Sequence, residues 1–399
     1  MTTSAPTEST TPSAPFDPLN PQHQQEAAER LAEARRRCPV SHPRAGISVV
    51  AAEKDVREAL NCPAYFSNHG NFTLDDSVAP PSAAITRMDP PDHTALRARL
   101  RKWFAPAKLR KQAPRIQEIT ERVADGLPEN GTVDLYALFF NRIPAQVVFA
   151  LLGLPEESWY EVQGWTDRVS AELVPNGFRG PDFEALFRFL TGEVERRREG
   201  GPTGADVIDG LVHAEPGEQE FTTREAAGHM LQLVFAGTDT TRSLATNLTY
   251  ELLRDPGLWE RVREDRTLLP MAMEESLRHD PPLRFVIRTA KDGAELSGNP
   301  VPTGDKVLLS LQSAGADEQV WGPEAQEFSL DREALPAHLS LGYGIHTCLG
   351  APLARLEVRI LLQTLLDRYP GMRLAEDYVW EKTPGDILHR PHRLDVVLG

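Results

Sequence analysis

The amino-acid sequence predicts a mainly α fold, built as a single large helical domain with a minor β-sheet region. Apolar residues recur at helical spacing through most of the chain, whereas only three short segments show the pattern of strands. The 399 residues suffice for one large core, and neither a repeat nor a linker divides them. We therefore expect one domain at 19–399, preceded by a Ser/Thr/Pro-rich, disordered tail at 1–18.

The predicted helices follow one another along the chain. The segment 223–255 is long for a surface helix, which predicts a central helix surrounded by others. Prolines at the start of 90–104 suit the first turn of a helix. The other predicted helices are 24–37, 117–127, 182–199, 268–280 and 351–369, and the predicted strands are 46–52, 306–312 and 393–398.

Composition and charge exclude several classes of protein. The net charge of −15 argues against a general nucleic-acid-binding protein. No apolar run approaches the roughly 20 residues of a membrane-spanning helix, and the N-terminus lacks the pattern of a signal peptide. The three cysteines, Cys38, Cys62 and Cys348, are too few and too scattered for a disulfide framework. We therefore expect a cytoplasmic protein with no nucleic-acid or membrane partner.

One basic run, RARLRKWFAPAKLRK at 97–111, stands out against the acidic chain. It contains seven basic side chains and no acidic one. Two interpretations remain open: a solvated helix face, which is common, or a local positive patch that steers an acidic protein partner.

The segment LGYGIHTCLG at 341–350 places Cys348 in a Gly-rich loop just before a predicted helix. A buried structural cysteine, a nucleophile with His346 as its base, and a metal ligand are the three interpretations. The sequence favours the metal ligand, because the positive end of the following helix and loop N–H groups stabilise a thiolate. Glycines also let the backbone approach a flat ligand closely; they are Gly342, Gly344 and Gly350.

The pattern G-x-G-x-H-x-C-x-G resembles the haem-binding loop of the cytochrome P-450 monooxygenases. This resemblance implies haem b as cofactor, with Cys348 as the axial ligand of the iron, and a cytochrome P-450 fold. The sequence has Leu341 where the family usually has Phe, which bears on how the sulfur is shielded. The resemblance covers nearly the whole chain after the tail, with the motifs in the family's order.

The segment AGTDT at 236–240 resembles the oxygen-binding groove of the family's central helix. The resemblance implies that Ala236 and Gly237 leave room for O₂ beside the haem. It also implies that Asp239 and Thr240 are the catalytic acid–alcohol pair that relays protons. The alternative is a helix kink at glycine beside a surface acid.

Two further sets of residues resemble structural parts of the haem pocket. His93 and Arg97 share one helix face, as two partners of one haem propionate require, and Arg288 and His346 resemble further propionate partners. Glu275 and Arg278 resemble the family's E-x-x-R pair, whose implied role is to support the pocket. For each of these residues taken alone, a surface salt bridge is the alternative.

The resemblance places substrate specificity in the segments 64–86, 168–181, 283–287 and 387–390 and on the central helix. The implied pocket is mainly apolar. Arg284 is an exception: it either faces the cavity and selects a carboxylate, carbonyl or aromatic group, or it turns out to a propionate or surface acid. The predicted pocket residues are Tyr65, Phe66, Ala84, Ile85, Leu233, Ala236, Leu283, Arg284, Val286, Ile287 and Leu388.

The function that the resemblance implies is a soluble bacterial-type monooxygenase that uses O₂ to hydroxylate or epoxidise a small apolar or aromatic molecule, in secondary metabolism. No GxGxxG nucleotide-binding pattern is present, so electrons must come from a ferredoxin-type partner and its reductase. The predicted docking face for that partner contains Arg99, Arg101 and Lys102. The alternatives are an oxidase that couples aromatic natural products, such as a tryptophan-derived cyclodipeptide, and a haem sensor without turnover.

Overall fold

The computed structural model describes residues 14–74, 84–176, 178–204, 206–332, 337–383 and 388–399. Helices dominate this part of the chain. They are α1 Pro21–Gln25, α2 Ala27–Arg37, α3 Glu53–Asn61, α4 Asp92–Arg101, α5 Pro106–Ala124, α6 Ile143–Leu152, α7 Trp159–Asn176, α8 Pro181–Gly200, α9 Val207–Val212, α10 Thr223–Arg254, α11 Pro256–Glu264, α12 Leu269–His279, α13 Leu311–Gly315, α14 Glu318–Trp321 and α15 Ala351–Arg368. Every predicted helix is present, which confirms the mainly α class.

The 32-residue helix α10 is the central helix that the sequence predicts. It begins with a capping box, in which Thr222 and Glu225 satisfy each other's backbone N–H groups. Helices α6, α8, α12 and α15 pack around it, so most of its side chains are buried. A helix enclosed on several sides explains why its apolar residues are not confined to one stripe.

The minor β region consists of short strands in three sheets. The five-stranded sheet has the order β1-β2-β8-β5-β3, the three-stranded sheet β4-β10-β9, and β6 pairs with β7. The predicted strands become β2, β8 and β10. The strands are β1 Val40–Arg44, β2 Ile47–Val50, β3 Phe66–Ser67, β4 Gly131–Asp134, β5 Phe285–Ala290, β6 Glu295–Leu296, β7 Asn299–Pro300, β8 Lys306–Ser310, β9 Arg373–Leu374 and β10 Asp395–Leu398.

Strand β5 is absent from the sequence prediction although it lies inside the five-stranded sheet. It pairs antiparallel with β8, with Phe285 opposite Ser310 and Thr289 opposite Lys306. The arginine within its FVIRTA sequence interrupts the apolar alternation that identifies a strand. Pairing with two neighbours, rather than its own pattern, holds this segment extended.

The N-terminal residues from 14 onward differ from the predicted disordered tail at 1–18. Phe16 is 1 % exposed and stacks on Phe285 at a centroid distance of 5.9 Å. Asp17 accepts a hydrogen bond from Leu19 and pairs with Arg44. The predicted tail boundary at residue 18 is wrong because burial of one aromatic side chain holds a segment whose composition is otherwise typical of disorder. Residues 1–13 lie outside the described chain.

The core divides into one large helical cluster and two smaller clusters beside the five-stranded sheet. Within the described ranges, no helix has the length and apolarity needed to cross a membrane.

Candidate active site

The loop before α15 presents the Cys348 side chain at an accessible position. The Cys348 N–H donates to the carbonyl of Leu341 at 2.6 Å and closes the loop. Gly342 and Gly344 have φ angles of 74° and 68°, in the left-handed region that glycine adopts without strain. A Cβ atom on Gly344 would lie 2.7 Å from the Asn61 side-chain oxygen, so this glycine lets the loop pack on the end of α3.

The electrostatic surroundings of the Cys348 thiol act in two directions. The thiol is accessible, but protein surrounds it on most sides, and this burial raises its pKa. The N–H groups of Gly350 and Ala351 and the charges of Arg97 and Arg355 oppose that increase. The groups that stabilise a thiolate are therefore in place, and a cation bound to the sulfur would favour the deprotonated form further.

Four cationic or hydrogen-bonding side chains converge beside this loop. The imidazole rings of His93 and His346 are 3.9 Å apart, and Arg97 Nη2 donates to the Thr347 carbonyl at 2.7 Å. Burial, with the nearby His93 and Arg288, lowers the pKa of His346 to about 3, so this ring is neutral. Burial lowers the pKa of Arg288 to about 10.

These four side chains lack anionic partners in the described part of the chain. Arg288 donates to its neighbour's carbonyl, Ile287 O, at 2.9 Å and forms no ion pair with a described residue. Within the same ranges, both ring nitrogens of His93 and Nε2 of His346 are buried without a hydrogen-bond partner. Buried groups of this kind are costly unless a partner satisfies them, which indicates a site for an external anion.

One face of α10 is open in the middle of the helix. Ala236 is exposed there, and Leu233 and Thr240 on the same face are partly exposed. The Thr240 hydroxyl donates to the Ala236 carbonyl at 2.7 Å, the local bond that threonine makes within a helix. The groove that the sequence predicts would lie on this open face.

Gly237 also serves the packing of two helices. A Cβ atom on Gly237 would lie 2.5 Å from a methyl group of Val148 on α6. The absent side chain thus permits close packing of α6 on α10.

Asp239 is buried and its carboxylate makes no hydrogen bond with the Thr240 hydroxyl in this structure. Instead, Asp239 Oδ2 accepts from the Ser170 hydroxyl at 2.7 Å, and Oδ1 pairs with Arg242 at 2.5 Å. The predicted catalytic pair is adjacent in sequence, but each member has separate partners.

Comparison with known proteins identifies the family. The family model for cytochrome P450 matches residues 182–393. A putative cytochrome P450, YjiB of Bacillus subtilis, is 34 % identical over 298 residues, covering 72 % of this chain and 74 % of the relative. The vitamin D(3) 25-hydroxylase of Pseudonocardia autotrophica is 33 % identical over 327 residues, 80 % of each chain. The chain belongs to the cytochrome P450 family.

Solved structures confirm the cytochrome P450 fold. A mutant of P450 EryK in complex with erythromycin B superposes with a TM-score of 0.85 at 28 % identity, covering 94 % of this chain and 97 % of that one. The protein is accordingly a haem-dependent monooxygenase, and members of the family act on small molecules with O₂ and redox partner proteins.

The residues of this cytochrome P450 fit haem. The described residues contain no cluster of three His, Cys, Asp or Glu side chains, so an iron bound to Cys348 must bring its other ligands in a cofactor. The donors at His93, Arg97, Arg288 and His346, which pair with no carboxylate among the described residues, suit the two propionates that haem carries. The donor set and the accessible thiol therefore match haem b.

The Glu275–Arg278 pair of this cytochrome P450 is fully buried and supports the segment ahead of the Cys loop. Arg278 Nε and Nη2 contact the two Glu275 oxygens at 2.7 and 2.6 Å. The guanidinium also donates to the carbonyls of Gly315, Ala325 and Glu327 at 2.5 to 2.6 Å. Because every donor in this fork is used, the pair acts as a structural junction.

Some predicted pocket residues lie beside α10 or pair with one another. Ala84 and Ile85 lie in a short turn, and the next residue, Thr86, donates to Gln232 of α10 at 3.2 Å. Leu283 pairs with Leu388 across an isolated β-bridge, and Val286 is partly exposed. Residues 75–83, 177 and 387 of the predicted specificity segments lie outside the described chain.

Other predicted pocket residues lie elsewhere. Tyr65 is 47 % exposed on the outer surface beside Gly293. Phe66 is buried in the small core next to the five-stranded sheet, and Ile287 points into the cluster that contains Phe16. Alternation along strands accounts for these errors, because successive side chains point to opposite faces.

Arg284 is buried, and two glutamines hold its guanidinium. Nε donates to Gln312 at 3.0 Å, and Nη1 donates to Gln24 of α1 at 2.5 Å. These contacts point the side chain toward α1 and α13, so the hypothesis that it selects an anionic substrate loses its support.

The predicted docking face is wrong at Arg99. This side chain is buried and donates to the carbonyls of Gly210, Leu211 and Gln219. Lys102 pairs with Glu215 at 2.6 Å, which reduces its positive potential. The spacing of the basic residues alone does not reveal which helix face is buried. The exposed basic residues of this run are Arg101, Lys108, Arg110 and Lys111.

Sequence reasoning also missed polar residues behind the groove. Arg242, Ser170 and Asp167 surround Asp239, and none belongs to a named motif. The spacing of three residues between Asp239 and Arg242, the same as in Glu275–Arg278, was the available signal.

Proposed function

We propose that this cytochrome P450 hydroxylates or epoxidises an apolar or aromatic organic molecule in secondary metabolism. The observation that carries the proposal is the open face of α10, where Ala236 is exposed and Leu233 is partly exposed. The turn that contains the apolar residues Ala84 and Ile85 contacts α10 through Thr86 and Gln232. Apolar walls hold a neutral molecule by excluding water and leave few polar groups to orient it.

The side chains around the cofactor position have separate tasks. Cys348 would ligate the iron, and His93, Arg97, Arg288 and His346 would hold the propionates. Bound haem supplies the iron centre at which O₂ is activated. The small side chain of Ala236 leaves space for O₂ beside α10.

Thr240 and Asp239 are proposed to control proton delivery at the groove. The Thr240 hydroxyl is close to the open face and can exchange its bond to Ala236 O for one to a ligand. The Asp239 carboxylate lies one residue earlier on the buried side, where it can accept and return a proton through water.

The substrate is proposed to be bulky and uncharged. One relative has such a molecule in its name, the vitamin D(3) 25-hydroxylase. The contacts of Arg284 with Gln24 and Gln312 support the proposal, because they hold this guanidinium toward α1 and α13.

A ferredoxin-type protein is the proposed electron donor. Arg101, Arg110 and Lys111 are exposed and form no ion pair with described residues, on a chain whose net charge is −15. A local positive surface on an acidic protein can orient an acidic partner during encounter.

A spectral titration of the ferric holoenzyme tests the substrate proposal. Vitamin D3 serves as a bulky neutral probe, and matched aromatic acids and their neutral amides test for charge selection. We expect the neutral probes to displace water from the iron and shift the Soret band, and the acids to have no effect. A shift with the acids alone contradicts the proposal.

Product analysis then tests the reaction. With isotopically labelled O₂, a hydroxylated or epoxidised product carries the label. A coupled product without label, for example from a cyclodipeptide, supports the oxidase alternative. Turnover by wild type that is lost in Thr240→Ala with haem retained excludes a haem sensor.

A further inference from the structure

Arg242 is an enclosed guanidinium behind the open face of α10. Its side chain is 2 % exposed, and Nη2 contacts carboxylates from two helices: Asp239 Oδ1 at 2.5 Å and Asp167 Oδ1 at 2.7 Å. Its Nη1 donates to the Asn141 side-chain oxygen. The guanidinium of arginine presents its N–H donors in one rigid plane, which fixes the directions of these three partners more strictly than the rotatable donors of lysine would.

Both oxygens of Asp239 are fixed by this arrangement. Arg242 binds one oxygen, and the Ser170 hydroxyl on α7 donates to the other at 2.7 Å. Asp167 also lies on α7, so that helix is tied to α10 at two points one turn apart. We call Arg242, Asp167, Ser170 and Asn141 the Arg242 clamp.

The Arg242 clamp continues toward the C-terminal segment of the pocket. The Tyr136 hydroxyl donates to Asn141 Oδ1 at 3.2 Å, and the Arg390 guanidinium lies over the Tyr136 ring at 3.9 Å. Arg390 follows Leu388, which pairs with Leu283 in the proposed pocket wall. Two parts of the pocket, α7 and the segment 388–390, thus contact the same buried charge cluster.

The two carboxylates differ in what they can do without Arg242. Asp167 has a second donor, Gln163 Nε2 at 2.7 Å, and its side chain is 37 % exposed, so it can turn to water. Asp239 is buried and would retain Ser170 alone. Because an unpaired buried charge is unstable, the Asp239 side chain is expected to change its orientation when Arg242 is removed.

We infer that Arg242 is a positioning residue, which holds the Asp239 carboxylate in one orientation behind the groove and links that orientation to α7 and the C-terminal pocket segment. The inference rests on the proposed role of Asp239 in proton delivery. It assigns Asp167 and Ser170 to the same task. The clamp lies outside the haem contacts and touches neither the propionate donors nor Cys348.

The test uses haem-loaded Arg242→Gln, with Arg254→Gln as the matched control. Arg254 pairs with Glu251 at 3.3 Å through the same spacing on α10, but it is half-exposed and near the helix end. Carbon monoxide is the first probe: its infrared stretching band in the reduced holoenzyme reports the charge distribution in the groove. We expect the band to shift or split in Arg242→Gln and to stay unchanged in Arg254→Gln.

The second readout needs no substrate. A plant-type ferredoxin and its reductase drive O₂ consumption, and the hydrogen peroxide released is compared with the NADPH used. Peroxide formation uses two electrons for each O₂ and water formation four, so the ratio reports how protons reach the groove. We expect the peroxide fraction in Arg242→Gln to change by about twofold or more. A change of this size is within the range expected when a proton-transfer group is displaced.

Further variants separate the possible failures. If Arg242→Gln does not fold, Ser170→Ala and Asp167→Asn remove one clamp contact each and must change both readouts in the same direction by smaller amounts. If Asp239→Asn changes the two readouts but folded Arg242→Gln, or both milder variants, behave as wild type does, the inference is overturned. Wild-type behaviour of Asp239→Asn overturns the proposed role of Asp239 itself.

Discussion

Glu357 is predicted to destabilise the protein in a pH-dependent way, and Glu357→Gln removes that effect. The carboxyl lies on α15, is 1 % exposed, and neither oxygen has a hydrogen-bond partner among the described residues. Burial raises its pKa from 4.5 to about 8. No charged neighbour contributes to this shift in the described part of the chain, so desolvation alone disfavours the ionised form.

The sign and size follow from the linkage between protonation and folding. The folded protein binds this proton more tightly than the unfolded chain, so stability falls as pH rises from 4.5 toward 8. Each pKa unit corresponds to about 1.4 kcal/mol, so the loss is about 3 kcal/mol at pH 7 and reaches its full value above pH 8. Glutamine does not titrate and avoids this loss.

Thermal unfolding of the two holoproteins at pH 5 and pH 8 measures the effect. We expect Glu357→Gln to be more stable relative to wild type at pH 8 than at pH 5. Exposed Glu58 on α3 provides the control, because Glu58→Gln should shift both curves equally. If the difference in stability between Glu357→Gln and wild type is the same at both pH values, the reasoning is refuted. An unpaired amide that affects stability without any titration would give that result.

Three other substitutions test the packing around the site. Gly315→Ala should prevent stable folding, because its Cβ would overlap the Arg278 carbonyl oxygen. The control Gly192→Ala lies in open space on α8 and should be neutral or stabilising. Circular dichroism can measure the folding of both variants. Phe16→Ala should lower the free energy of unfolding by about 3 kcal/mol in denaturant titrations. An unchanged unfolding midpoint would show that this segment belongs to the disordered tail, as the sequence predicts. Arg288→Leu should stabilise the haem-free protein but weaken haem binding by about tenfold in cofactor titrations, and tighter binding would contradict the propionate role.

Local patterns in the sequence sufficed for the helical framework. The capping residues and apolar spacing of α10 define a helix within the chain itself, and the observed Thr223–Arg254 ends one residue before the predicted boundary. The Cys348 loop could also be predicted from the sequence, because its glycines, its cysteine and the helix after it are consecutive in the chain. By contrast, β5 is held by β3 and β8, which no local pattern of FVIRTA discloses.

Side-chain direction was the part that sequence reasoning could not supply. Arg99 and Arg101 are two residues apart in one basic run, yet one is buried on three carbonyls and the other is exposed. Arg284 depends on Gln24 and Gln312, which are distant in sequence from it and from each other. Partners brought together by tertiary packing decide these orientations.

The absorption spectrum of the reduced, carbon monoxide-bound protein tests the central claim most directly. Wild-type protein should bind one haem and show the red-shifted Soret band that a thiolate ligand produces, and Cys348→Ser should lose this band. Cys38→Ser and Cys62→Ser should retain it, since Cys38 follows α2 and Cys62 follows α3, and neither belongs to the loop that carries Cys348. A wild-type protein without the red-shifted band, or a Cys348→Ser protein that keeps it, would contradict the assignment of Cys348 as the haem ligand.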